Sequence, residues 1–140
     1  MKLFPTKIKL KKTFFPSRVK IKKWSDFLLF GEFGLKLSDN SLFSLNKIQS
    51  VYNLLQKLFK KFDGFLWIRA FPHYFLTKKP LEVRMGNGKG SFFCWAVNLP
   101  KGFVFVEFSL KTNINLYKLV RNCCSKIGVN CKLIKKNDIC

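Results

Sequence analysis

Acidic residues are scarce in this chain of 140 residues, which has 7 acidic and 27 basic side chains and a formal charge of +20. Self-repulsion on this scale destabilises a compact protein, and a polyanionic partner would relieve it. Nucleic acid is the first candidate for that partner, and an anionic membrane surface is the second. The few acids are scattered along the sequence, which gives little support for catalysis by paired carboxylates.

Histidine is nearly absent, and the five cysteines form no C-x-x-C pair. A zinc site normally needs four nitrogen or sulfur ligands at recognisable spacing, so we expect neither a metal nor another cofactor. Cys94 and His73 could be imagined as nucleophile and base. Because Cys94 lies in an apolar, strand-like run, an inert core thiol is the better interpretation. We therefore expect a protein that is not an enzyme and has no small-molecule substrate.

Long apolar runs are also missing. The longest uncharged stretch, Gly90 to Pro100, is well short of the roughly 20 residues that a membrane-spanning helix requires, so we expect no membrane insertion. The basic N-terminus lacks the apolar core of a secretory signal. Alanine occurs only at Ala70 and Ala96, whereas phenylalanine occurs 17 times. Phenylalanine, lysine, asparagine and isoleucine have AT-rich codons, so this bias suggests an AT-rich genome such as that of an organelle.

Residues 1–26 form a segment that we call the basic arm, and its first 23 residues contain no acid. Residues 7–11 and 19–22 alternate between charged and apolar side chains, which is the period of a strand with one charged face. A solvated basic tail is the alternative, but the absence of nearby carboxylates favours an extended arm that binds RNA. The cations that we expect to contact RNA are Lys7, Lys9, Lys11, Lys12, Arg18, Lys20 and Lys22.

Residues 27–140 are expected to form one α+β domain, a two-layer sandwich of a mixed or antiparallel sheet with two helices. The clearest helix spans residues 44–62, where apolar side chains recur every three or four residues, with Ser44 as the N-cap, and a second spans 113–127 and ends before Gly128. The predicted strands cover residues 27–37, with a bend at Gly31 or Gly34, and residues 65–71, 92–97, 103–108 and 129–135. A turn is expected at residues 39–41, and residues 92–97 and 103–108 are expected to pair as an antiparallel hairpin.

The many aromatic residues have two interpretations. Trp67, Phe92, Phe93 and Trp95 lie in strand-like runs, and most of them should belong to the core. One or two could instead stack on nucleobases. Trp24, which directly follows the most basic part of the arm, is the better candidate for stacking. Lysines on the first helix could likewise form a solvated face or contact RNA.

A glycine-rich loop follows the apolar stretch Leu81–Met85, and three of its residues 86–90 are glycine. Glycine allows positive φ angles and close approach of another molecule, and the flanking lysines and Arg84 supply cationic donors. The loop is not a nucleotide-binding P-loop, because Gly90 stands where that motif needs Ser or Thr and a strand pattern follows instead of a helix. A flexible cationic loop suits contact with a polyanion at close range.

Three motifs in this order resemble the L-sixteen family of bacterial and organellar large-subunit ribosomal proteins. They are Phe-Gly-Glu-Phe-Gly-Leu-Lys at residues 30–36, Trp-Ile-Arg-Ala-Phe-Pro at 67–72, and Thr-Lys-Lys-Pro-Leu-Glu-Val-Arg-Met-Gly-Asn-Gly-Lys-Gly at 77–90. The resemblance covers the chain from about residue 27 to its end. Tyr52 and Asn53 depart from it, because they stand where many bacterial members have an arginine pair, and Asn87 replaces a common lysine.

The resemblance implies a non-catalytic protein bound to large-subunit ribosomal RNA and to neighbouring ribosomal proteins. It also implies that the loop extends toward the A-site tRNA and the peptidyl-transferase region. With the composition, it indicates a mitochondrial ribosome, with a plastid ribosome as second choice. A basic membrane-surface protein is the alternative, since two amphipathic helices are predicted. The expected RNA-binding residues outside the arm are Arg69, Lys78, Lys79, Arg84, Met85, Gly86, Asn87, Gly88, Lys89 and Gly90.

Overall fold

A computed structural model describes residues 4–5, 13–14, 27–110 and 115–136. The elements in chain order are β1 Phe33–Leu37, β2 Ser41–Ser44, α1 Leu45–Phe59, β3 Phe65–Ile68, β4 Tyr74–Lys78, β5 Ser91–Leu99, β6 Val104–Ser109, α2 Leu116–Ile127 and β7 Cys131–Lys135. The strands form a four-stranded sheet in the order β3-β6-β1-β7 and a three-stranded sheet in the order β2-β5-β4. All strand pairs in both sheets are antiparallel. The predicted α+β class with two helices is therefore confirmed, with two antiparallel sheets in place of one.

Both helices bury one apolar face in the shared core. Helix α1 buries Ile48, Val51, Leu55 and Phe59, at the spacing of three and four residues that the sequence predicted. Helix α2 buries its own stripe at the same spacing, namely Leu119, Cys123 and Ile127. The core cluster joins these faces to side chains from strands of both sheets. In the described ranges, neither helix is long and apolar enough to cross a membrane.

The helix ends differ from the predictions by a few residues. Ser44 is the N-cap of α1, as predicted, although its side chain makes no capping hydrogen bond, and the helix ends at Phe59, three residues early. The Asn115 side chain caps α2 by accepting a 3.1 Å hydrogen bond from the Lys118 backbone N–H. The predicted start at residue 113 lies outside the described residues. Gly128 closes α2 with φ 73°, in the left-handed region that favours glycine.

The predicted hairpin of residues 92–97 and 103–108 is wrong. Strand β5 pairs with β2 and β4, whereas β6 lies between β1 and β3 in the other sheet. After Pro100 the chain joins the end of β1, since the Gly102 N–H donates to the Leu37 carbonyl at 2.9 Å and the Leu37 N–H donates to the Phe103 carbonyl at 3.0 Å. A turn signal between two apolar runs indicates a change of direction, but it does not say which strand each run pairs with.

Three predicted strands are shorter in the structure, and two further strands were not predicted. The strand expected over residues 27–37 covers only Phe33–Leu37, and the one expected over 65–71 ends at Ile68. The strand expected over 129–135 begins at Cys131, and β4, Tyr74–Lys78, was not predicted. Strand β2 directly follows the predicted turn and was missed, because its four residues run straight into α1 without a loop.

Candidate nucleic-acid interface

The glycine-rich loop connects β4 to β5 and projects from one end of the three-stranded sheet. Its base is the last pair of the ladder, Lys78 opposite Ser91. Every residue from 81 to 89 is exposed, including Leu81 at 94% and Met85 at 100%. The loop is followed by a strand, so it lacks the helix N-terminus of a phosphate-binding P-loop. An irregular segment with its side chains in solvent is available to contact another molecule.

The loop glycines serve two different purposes. Gly86, Asn87 and Gly88 have φ angles of 107°, 53° and 79°, a conformation that most side chains disfavour. A Cβ atom at Gly86 or Gly88 would meet nothing within 4 Å, so backbone conformation is what requires glycine there. At Gly90 a Cβ would lie 2.6 Å from the carbonyl carbon and oxygen of Lys78, so glycine permits close approach of the two ends of the loop.

Three of the predicted cations have contacts at the base and side of the loop. The Lys79 Nζ donates to the Gly86 carbonyl and so ties the start of the loop to its tip. The Lys78 Nζ lies 5.3 Å from the centre of the Phe93 ring. The Lys89 Nζ donates to the Thr13 carbonyl and lies 5.0 Å from the centre of the Phe14 ring. These ammonium groups hold the loop in shape while most of their charge stays near the surface.

Arg84 differs from these three lysines in its contacts. It is exposed, and among the residues that the structure describes none forms a hydrogen bond or ion pair with it. Its neighbour Met85 is fully exposed. The nearest acid in sequence, Glu82, is exposed as well. A guanidinium carries several donors in a planar fork, which matches phosphate oxygens and can also stack on a base.

Arg69 is directed into the protein and not toward an external ligand. Its Nη1 donates to the Glu107 Oε1 at 2.8 Å and to the Phe27 carbonyl at 2.5 Å, and the side chain is only 10% exposed. The sequence requires Arg69 to be paired or solvated within its strand, and the structure shows that it is paired. RNA contact by Arg69 remains a prediction, whereas its intramolecular role is directly visible.

Glu107 was not singled out from the sequence, yet it is the centre of this arrangement. Its side chain is completely buried, and its Oε2 accepts hydrogen bonds from the backbone N–H groups of residues 29, 30 and 31 at 2.9, 2.7 and 3.0 Å. We call Glu107, Arg69 and these three N–H groups the carboxylate clamp. Charge-assisted hydrogen bonds of this kind offset the cost of burying the carboxylate.

The clamp explains two of the three sequence motifs. A Cβ at Gly31 would lie 2.8 Å from the Phe108 carbonyl oxygen, and one at Gly34 would lie 2.4 Å from the Leu28 Cδ2. Both glycines therefore allow residues 27–31 to lie directly on the four-stranded sheet. Because the N–H groups of that segment are bound to Glu107, they are not available to a strand ladder. This is why the predicted strand is shorter than expected.

The basic-arm cations from Lys7 to Lys22 lie outside the described residues. Within the arm the structure describes residues 4–5 and 13–14. Phe14 is 95% exposed beside the Lys89 ammonium group, and Thr13 accepts the hydrogen bond from that group. This part of the arm therefore contacts the glycine-rich loop. Trp24, the predicted stacking residue, also lies outside the described ranges.

The described cysteines, Cys94, Cys123, Cys124 and Cys131, are free thiols. Burial raises the pKa of the Cys123 thiol from 9.0 to about 12, and the nearby Cys124 adds a smaller effect in the same direction. Burial raises the pKa of Cys94 and of Cys131 as well. In the described part of the chain, His, Cys, Asp and Glu form no group of three or more that could hold a metal ion.

The family model described as Ribosomal protein L16p/L10e matches residues 5–134 of this chain. The chain belongs to that family. It is therefore a structural ribosomal protein and not an enzyme, as the motifs predicted. The match extends into the basic arm, beyond the region from residue 27 onward in which the motifs lie.

Similar proteins from bacteria carry the name large ribosomal subunit protein uL16. The protein of Malacoplasma penetrans is 39% identical over 117 residues, which cover 84% of this chain and 83% of the relative. That of Spiroplasma kunkelii is 35% identical over 139 residues, which cover 97% and 98%. That of Ureaplasma parvum is 38% identical over 109 residues, which cover 78% of each. These relatives support the family on nearly the whole chain.

Proposed function

We propose that this protein is a structural constituent of the large ribosomal subunit that binds large-subunit ribosomal RNA through its glycine-rich loop and basic arm. The observation that carries the proposal is the loop itself: residues 81–89 are exposed, and Arg84 has no partner among the described residues. The relatives named large ribosomal subunit protein supply the setting.

Charge is the second support. A formal charge of +20 on 140 residues implies that phosphates replace the missing acids in the assembled particle. Lysine and arginine contacts to phosphate release counterions, so binding should weaken steeply as salt is raised. The loop adds close backbone approach at its glycines, which suits irregular RNA better than a regular duplex. We also propose that the protein contacts neighbouring ribosomal proteins of the large subunit.

The chain should co-sediment with large subunits at physiological salt. Quantitative mass spectrometry across a sucrose gradient would measure this, with release expected as salt is raised. Recovery of the protein only in the soluble fractions of the gradient would contradict the proposal.

Within the particle we propose that the loop acts near the A-site tRNA and the peptidyl-transferase region. Replacing Arg84 with alanine should then slow tRNA-dependent steps by several fold and leave assembly of the subunit nearly unchanged. Peptide synthesis by purified mutant subunits would measure the first effect, and sedimentation profiles would measure the second. Arg121→Ala is the matched control, since Arg121 is an exposed arginine on helix α2. Normal synthesis by Arg84→Ala subunits would refute this role for the loop.

We further propose a mitochondrial ribosome as the setting, with a plastid ribosome second. The support is compositional, namely 17 phenylalanines and 27 basic residues against two alanines. The relatives described above are bacterial, and an AT-rich bacterial genome would produce the same bias. Fractionation of cells from the source, with detection of the protein by antibody, tests the proposal. Enrichment in mitochondria is expected, and enrichment in another compartment would contradict it.

The membrane-surface alternative finds no support in the described helices. Their apolar faces are buried in the core, so they do not present the exposed apolar stripe with which an interfacial helix enters a bilayer. Binding of the chain to anionic vesicles that survives nuclease treatment would be needed to revive this alternative.

A further inference from the structure

Three aromatic rings lie against one another on the outer face of the edge strand β3. Trp67 is in the middle, with its ring centre 6.4 Å from that of Phe30 and 6.0 Å from that of Phe65. The Phe30 and Phe65 ring planes are inclined to the Trp67 ring plane by 25° and 28°, so each lies nearly parallel to it. We call these residues the ring stack. Phe30 is 61% exposed and Phe65 is 63% exposed, so the stack is open to solvent at both ends.

The ring stack is built on a rigid support. Trp67 lies opposite Glu107 in the strand register, on the sheet face that carries the carboxylate clamp. The Phe30 backbone N–H donates to the Glu107 Oε2 at 2.7 Å, and this hydrogen bond fixes the residue that bears the first ring. Phe65 lies two residues before Trp67 and therefore on the same face of the strand. An exposed apolar surface held in place in this way indicates a binding partner.

We propose that the ring stack is a platform on which unpaired RNA bases stack. The inference rests on the proposed function and names the RNA feature that this surface takes. Three lysines, Lys20, Lys22 and Lys23, stand within seven residues before Phe27 in the sequence, and Phe27 is bound to the clamp through Arg69. A basic segment thus directly precedes, in the sequence, the segment that carries the first ring. This combination is typical of surfaces that bind single-stranded nucleic acid, because the cations follow the phosphates while the rings hold the bases.

The contacts within the clamp favour nucleobases over phosphates as the RNA groups that contact the ring stack. The guanidinium of Arg69, the residue that directly follows β3, is engaged by Glu107 and the Phe27 carbonyl. The rings therefore offer π-faces and not charge. Every base has a π-face, so the platform should accept many sequences and should prefer unpaired RNA to duplex RNA.

The test uses the full chain, an unstructured oligoadenylate and a duplex RNA of the same length. Phe65→Ser should weaken binding of the single-stranded RNA on the order of tenfold. The dependence of binding on salt should stay the same, because no phosphate contact is lost. Binding of the duplex should change little. Phe65→Tyr keeps a ring at this position and should restore the affinity.

Tyr117→Ser is the matched control, since Tyr117 is 84% exposed on helix α2 and is not part of the stack. Thermal unfolding of each variant checks that the fold is intact. Unchanged affinity of folded Phe65→Ser for the oligoadenylate would overturn the proposal, as would an equal loss in Tyr117→Ser. Unchanged RNA affinity with reduced incorporation into particles would also overturn it and would assign the stack to a neighbouring protein. Failure of the unaltered chain to bind any RNA would overturn the proposed function itself.

Discussion

The carboxylate clamp and the glycine-rich loop both depend on glycine and on an arginine, but they use them in opposite ways. At Gly31 and Gly34 an added Cβ would collide with the sheet or with Leu28. At Gly86 and Gly88 it would meet empty space, and only the backbone angle requires glycine. Glycine therefore permits close packing in the first region and a left-handed backbone in the exposed loop.

The two arginines show the same contrast. Arg69 has a buried carboxylate as its partner, whereas Arg84 has no partner among the described residues. Removing one partner of a buried pair leaves the other charge uncompensated and is strongly destabilising. An arginine that is exposed in a loop contributes little to folding. We expect substitutions in the clamp to act mainly on stability and substitutions in the loop to act mainly on binding.

The largest effect is expected at Glu107. Its replacement by alanine leaves the Arg69 guanidinium and three backbone N–H groups without their buried acceptor. The free energy of unfolding should fall by about 3–5 kcal/mol. Denaturant titration followed by circular dichroism would measure it. Glu82→Ala in the loop is the matched control and should change stability by no more than about 0.5 kcal/mol. Equal losses of unfolding free energy in the two variants would contradict the proposed difference between the clamp and the loop.

Alkaline pH should lower the stability of the folded core through Cys123, whereas the glycine-rich loop contains no cysteine. The pKa of this thiol is raised in the folded state from 9.0 to about 12. The unfolded chain therefore loses the proton first, so the contribution of Cys123 to stability should be constant below pH 9 and fall as pH rises from 9 toward 12. The slope from one such group is at most about 1.4 kcal/mol per pH unit.

Unfolding titrations at pH 8 and pH 10 would show this effect, and Cys123→Ala should flatten the dependence. Because the pKa of Cys131 is raised as well, some slope should remain in that variant. A stability that is unchanged from pH 8 to pH 10 would contradict the burial of these thiols.

A pair of glycine substitutions compares the two regions most evenly. Gly34→Ala places a methyl group 2.4 Å from the Leu28 Cδ2 and 2.9 Å from the Val104 Cγ1, so it should cost about 1–3 kcal/mol of stability. Gly88→Ala has free space but must adopt φ 79°, and it should cost about 1 kcal/mol. Thermal unfolding measures both costs. RNA binding should weaken more in Gly88→Ala than in folded Gly34→Ala; the reverse order would refute the division of roles.

The sequence predicted those parts of the fold that local pattern controls. The apolar spacing in α1 and the glycine after α2 were sufficient to find both helices, and the long motif around Arg84 identified the family. The strand pairings could not be predicted, because alternation shows which residues share a face but not which strand lies beside them. Residues 92–97 and 103–108 were assigned to one hairpin for this reason, although they belong to different sheets.

The candidate site was predicted in part for a similar reason. Exposed glycines and cations within one segment can be recognised locally, and the structure shows them in one exposed loop. Glu107 lies 38 residues from Arg69 and 76 residues from Gly31 in the chain, so no local pattern connects them. A single acid within the apolar run of β6 was the available signal, since a buried carboxylate requires a partner. The ring stack was not predicted, because Phe30 lies far in sequence from Phe65 and Trp67 in β3.

The position of the loop in the native particle is the most direct test of the account. A cryo-electron microscopy map of large ribosomal subunits purified from the source would show the surroundings of residues 84–90. We expect ribosomal RNA in contact with the Arg84 guanidinium and with the backbone at Gly86 and Gly88. A loop surrounded by solvent, with no RNA strand within contact distance, would contradict it.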